Sequence, residues 1–157
     1  SWESMTNKEL HECDPKEWFE YLTKKSLELM KRDGHHTPMC FVMKNGDMGI
    51  CPIESDGDYS PLDYLKPIVA KLQPEAYLFI CEFWSKMMTK EQTDEHIQSG
   101  KKVVEYAEKT EGLALIGGTM DGKITIRDLY HVKRDETNKV VDLKKYEGGI
   151  FKSSKVI

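Results

Sequence analysis

Read from the start, the alternation of apolar and polar positions breaks the chain into a short series of elements with recognisable ends. Asp14-Pro15-Lys16-Glu17 supplies an N-cap, a proline at the first helical position and a glutamate at the third, and Lys31-Arg32 with Gly34 marks the far end. Between them Trp18, Phe19, Leu22, Ser26, Leu29 and Met30 recur at helical spacing, with charge on the other side. Residues 39–43 and 48–51 then flank Asn45-Gly46, the dipeptide of a two-residue type I′ hairpin, in a register that sets Phe41 against Ile50 and Cys40 against Cys51. Ser60-Pro61-Leu62-Asp63 repeats the helix-start grammar. A stripe of Leu65, Ile68, Val69 and Leu72 follows, Pro67 is expected to kink the helix, and Pro74 closes it.

The next run, residues 75–84, is apolar and aromatic with one carboxylate, Glu82, inside it. Residues 86–110 are polar; Thr89 or Thr93 as cap and Ile97, Gly100, Val104 and Ala107 as inner face predict a helix near 94–108, which Gly100 weakens. Residues 113–120 and 123–130 flank Asp121-Gly122 as a second hairpin, with Gly117-Gly118 read as a bulge, and residues 139–143 add a strand. The order predicts an α+β fold: a mixed, mostly antiparallel sheet of five or six strands, one parallel crossover, and two or three helices packed mainly on one face. The chain of 157 residues is expected to form a single domain, 1–157, around one core.

His36-Thr37-Pro38 ahead of a strand, Cys81-Glu82-Phe83-Trp84, and a late Glu111-Gly112-Leu113-Ala114-Leu115 hairpin with Asp121-Gly122 resemble a group of small uncharacterised α/β proteins whose apolar strand ends in a Glu-x-Trp signature. The likeness covers residues 35–130. It implies that residues 86–110 are a variable insert, and it brings no activity with it.

Composition narrows function mainly by exclusion. With a net charge of −4 and Lys and Arg scattered among Asp and Glu, the chain has no electrostatic footprint for nucleic acid or an anionic membrane. No stretch approaches the roughly 18 apolar residues of a membrane span. The four cysteines lack metal or redox spacing, so they read as free core thiols of a cytoplasmic protein. Gly34-His35-His36-Thr37-Pro38 has imidazoles but no ligand pair at metal spacing, and Gly46-Asp47-Met48-Gly49 lacks a nucleotide-loop context, so neither a metal nor a cofactor is expected.

Glu82 is the residue the pattern does not explain. Desolvating a carboxylate costs several kcal/mol unless it is paired, so a Glu in such a strand calls for a partner, a proton or a ligand. Trp84 shares its face, because side chains alternate with a period of two. Arg127, in another apolar strand, is the expected ion-pair partner; Arg127, Leu129 and His131 share one face of that strand. Two functional readings follow. The first is a non-enzymatic binding or assembly domain, a homodimer with a protein or small-molecule partner and with Trp84 and His36 as binding candidates. The second is a small hydrolase-like or isomerase-like enzyme using Glu82 with Arg127 or His131 as catalytic residues.

Overall fold

A computed structural model describes residues 14–53 and 62–147, except the side chain of Leu62. The expected Ser60-Pro61 cap, the acidic loop before it and the C-terminal tail lie outside the described residues. Helix α1 (Pro15–Asp33) leads into the hairpin β1 (Met39–Lys44) and β2 (Asp47–Pro52); α2 (Leu62–Leu72) and β3 (Ala76–Ser85) follow. Then come α3 (Lys90–Ser99), a 3-10 turn (Val103–Glu105), and the strands β4 (Thr110–Thr119), β5 (Thr125–Arg134) and β6 (Val140–Lys145). The six strands form one sheet in the order β2-β1-β3-β4-β5-β6, so the fold is α+β.

Local chemistry sets the ends of these elements. Asp14 accepts a hydrogen bond from the Glu17 N–H at 2.9 Å, and Gly34, with φ of 78°, closes α1 by donating to the Met30 carbonyl. Asn45 and Gly46 both take positive φ, 53° and 78°, as a type I′ turn requires, and Phe41 stands opposite Ile50 and Cys40 opposite Cys51. Cys40, Cys51 and Cys81 are free thiols. The Asp121-Gly122 turn keeps the expected register, Gly118 opposite Thr125, but is wider, with positive φ at Gly122 alone.

Three expectations need correction. Every strand pairing is antiparallel, so the sheet is not mixed: the α2 crossover does link two strands of like direction, β2 and β3, but β1 lies between them. The helices do not share a face. Trp18, Phe19, Leu22 and Met30 of α1 pack with Leu78, Ile80, Leu113, Leu115 and Val132 on one face, whereas Leu65 of α2, with Ile68 and Val69 beside it, packs with Cys40, Phe79, Cys81, Ala114 and Leu129 on the other. Gly117 and Gly118 are in register rather than bulged. Gly117 is required because a Cβ there would collide with the Tyr77 carbonyl oxygen and come within 2.9 Å of Leu78 Cα. The bulge lies between Lys133 and Arg134 instead.

Residues 86–109 leave the sheet. The helix there starts at Lys90, four residues earlier than the spacing predicts, because Thr89 and Gln92 form a reciprocal capping box, and it stops at Gly100, whose φ is 69°. It buries none of its residues.

Candidate functional site

Strand parity decides what Glu82 meets. In β3, Leu78 and Ile80 face α1, so Glu82 and Trp84 do too, at the end of the sheet next to the C-terminus of α1. On β4, Glu82 stands opposite Leu113 and Trp84 opposite Glu111, which makes Glu111 a diagonal same-face neighbour of Glu82. On β5, the same face carries Tyr130 and Val132, and the strand ends with Arg134 at the bulge.

Arg134 is the hub of this corner. Its Nε donates to Glu111 Oε1 at 2.6 Å and its Nη2 to Glu111 Oε2 at 2.8 Å, a bidentate pair whose side chains are 21% and 16% exposed. Nη2 also donates to the Gly34 carbonyl at 2.6 Å, and Nη1 to the Asn138 carbonyl at 3.0 Å. One guanidinium thereby ties β4, the end of α1 and the β5–β6 turn together.

Glu82 sits beside this pair, half-buried. Burial pushes its carboxyl above the ordinary range, Glu111 pushes the same way, and Arg134, His35 and the backbone N–H of His36, which donates to it, pull back. His36 itself is buried, with Nδ1 2.9 Å from the Thr37 carbonyl oxygen, and burial depresses its basicity. Trp84 is 41% exposed at the rim, with the Lys109 ammonium 5.2 Å from its ring centroid.

The structure therefore brings together Glu82, Trp84 and His36 of the residues singled out from the sequence, and it separates Arg127 and His131 from them. Arg127 stands opposite Ile116, and His131 opposite Gly112, both on the α2 face of the sheet. Arg127 is exposed and needs no buried partner; His131 stacks on Tyr146 at 5.9 Å. The expected Glu82–Arg127 ion pair and the Glu82–Arg127–His131 pocket do not form, because an odd-numbered residue of β5 cannot face an even-numbered one of β3 in this register.

Sequence reasoning missed Glu111 and Arg134. The signal was the parity itself: continuing the face of Ile126, Asp128 and Tyr130 by two more steps reaches Val132 and then Arg134. It also missed a second polar cluster on the excursion. There Tyr106 hydrogen-bonds His96 Nδ1 at 2.9 Å, and two ammonium groups, Lys101 and Lys86, lie 4.2 Å and 5.6 Å from the Tyr106 ring centroid. Among the described residues, no group of three His, Cys, Asp or Glu side chains is placed to hold a metal ion.

No protein-family model, no curated protein and no solved structure matches the chain. No helix among the described residues is long and apolar enough to cross a membrane.

Proposed function

We propose that the chain is a non-enzymatic binding or assembly domain. The observation that supports this is the setting of Glu82. The His36 N–H donates to its carboxylate and the Arg134 guanidinium, committed to Glu111, lies near it, while Arg127 and His131, the partners that an enzymatic reading of Glu82 needs, are on the other face. Acid–base catalysis needs the acid and base within hydrogen-bond reach of one reacting atom. Glu82, Glu111 and Arg134 instead act as a brace that fixes the corner on which Trp84 and the 86–109 excursion are displayed.

Assembly as a homodimer is part of the proposal. Strands β2 and β6 are the edges of the sheet, and Ile50 and Val141 on them are 40% and 52% exposed. Static light scattering tests it: the mass should climb from 18.2 kDa toward twice that value as the concentration rises through the micromolar range. A mass that stays at 18.2 kDa removes the homodimer. Hydrolysis or isomerisation of any substrate, abolished by Glu82→Gln in a protein that remains folded, overturns the non-enzymatic reading.

A further inference from the structure

Where the chain leaves β3, the Lys86 side chain is only 16% exposed, yet its carboxylate partner, Glu108, is 3.4 Å away and 88% exposed. An ion pair at 3.4 Å with so solvated a carboxylate is weak, so Lys86 can exchange Glu108 for another anion at little cost. Lys101 adds a second ammonium against the same Tyr106 ring, 4.2 Å from its centroid. The His96–Tyr106 hydrogen bond of 2.9 Å holds that ring in place. Lys86, Lys101, His96, Tyr106, Gln92 and Glu95 share the wall of one cavity of about 290 Å³.

We infer that this cavity binds a small phosphorylated polyol. This names the ligand class of the binding domain argued above and rests on that reading. Two ammonium groups in one wall match a dianion better than a single carboxylate, and lysine binds phosphate as a point charge. Gln92 uses its carbonyl oxygen in the α3 capping box, at 3.0 Å from the Thr89 N–H, which leaves its amide N–H groups as donors toward the cavity. Glu95 is an acceptor with no role for an anion, but it suits the hydroxyl groups of a polyol. The volume lies at the low end for ligand pockets, which suits a small ligand. A base also has no place to stack, since Lys101 already covers the Tyr106 face.

Glycerol 3-phosphate is the probe, titrated calorimetrically into the full chain beside glycerol and inorganic phosphate. Saturable binding is expected, tighter than for either fragment, and weakened about tenfold or more in both Lys86→Met and Lys101→Met. Lys101 is exposed, so its variant keeps the test valid even where Lys86→Met disturbs the excursion. No binding at millimolar probe, undiminished binding by Lys101→Met, or equal affinity for inorganic phosphate overturns the inference, and the light-scattering result stands apart from all three. Release of phosphate from the probe, abolished by Glu82→Gln, overturns the non-enzymatic reading instead.

Discussion

Replacing Arg134 by Met keeps the stem that packs at the corner and removes the guanidinium, so it isolates the hub's polar role. Glu111 then loses both hydrogen bonds from the guanidinium in a place where its side chain is only 16% exposed. Breaking one side of a fully buried pair costs roughly 3–5 kcal/mol; with about a fifth of Arg134 in contact with water, roughly 2–3 kcal/mol is the appropriate figure. The carbonyls of Gly34 and Asn138 lose donors at 2.6 Å and 3.0 Å, each worth about 0.5–1 kcal/mol once water has partly replaced them. The total is about 4 kcal/mol, a fall in melting temperature of roughly 10 °C for a chain of this size. Urea unfolding followed by fluorescence reads it well, since Trp18 is fully buried against the sheet.

A double-mutant cycle with Glu111→Gln separates the pair from the carbonyl bonds. The two changes together should cost about 2 kcal/mol less than their sum. Without the cation, Glu82 and Glu111 face each other as two carboxylates, so the deficit of Arg134→Met should also shrink as pH falls into the carboxylate range. A cost below about 1 kcal/mol, or plain additivity with Glu111→Gln, refutes the hub as described.

Glu82 itself should behave oppositely to a paired core carboxylate. Burial and Glu111 raise its folded-state pKa above the ordinary 4.5, so its contribution to stability is full below the unfolded pKa and is lost as pH rises through the folded one. Glu82→Gln, which keeps an acceptor for the His36 N–H, should therefore flatten the decline of stability toward neutral pH; an unchanged slope in urea titrations at several pH values contradicts this. Combined with Arg127→Met it should be additive, because the two lie on opposite faces. In alkylation of the native protein followed by mass spectrometry, Cys51 should react well before Cys40 and Cys81, whose thiols burial pushes up to about 12; labelling of Cys40 at the rate of Cys51 would contradict its burial. Gly117→Ala should cost about 2–4 kcal/mol in the same unfolding assay, and a neutral result would mean that β3 and β4 separate more easily than their register implies.

Elements held by short-range chemistry were legible in the chain. Asp14, Gly34 and Asn45-Gly46 act through contacts within a few residues, so cap, stop and register follow from residue type alone. The early start of α3 was within reach by the same logic, since Thr89 and Gln92 are three apart, but the apolar residues Val104 and Ala107 drew the expected helix toward a segment that winds as a single 3-10 turn. Nothing local reports that β1 sits between β2 and β3, or that α1 and α2 cover opposite faces, because both depend on which apolar stripe finds which side of a sheet not yet formed.

The misassigned partner of Glu82 shows how far residue type carries an argument about a site. Desolvation called for a partner, a proton or a ligand at a carboxylate in an apolar strand, and β5 carries two arginines, Arg127 and Arg134. Arg127 looked the more enclosed because apolar residues flank it in sequence, yet those neighbours point to the other face, and its own position is exposed. Arg134 stands at a strand end, but the bulge beside it, the α1 C-cap and the β5–β6 turn converge there and enclose it. Burial of a polar side chain in a sheet protein is set by what crosses its end of the strand, a property of the assembled layers. Parity along β5 excluded Arg127 once the register with β4 was known, and the C-terminus of α1, lying over the same end of the sheet, fixes Arg134 there, paired with Glu111 and only near Glu82.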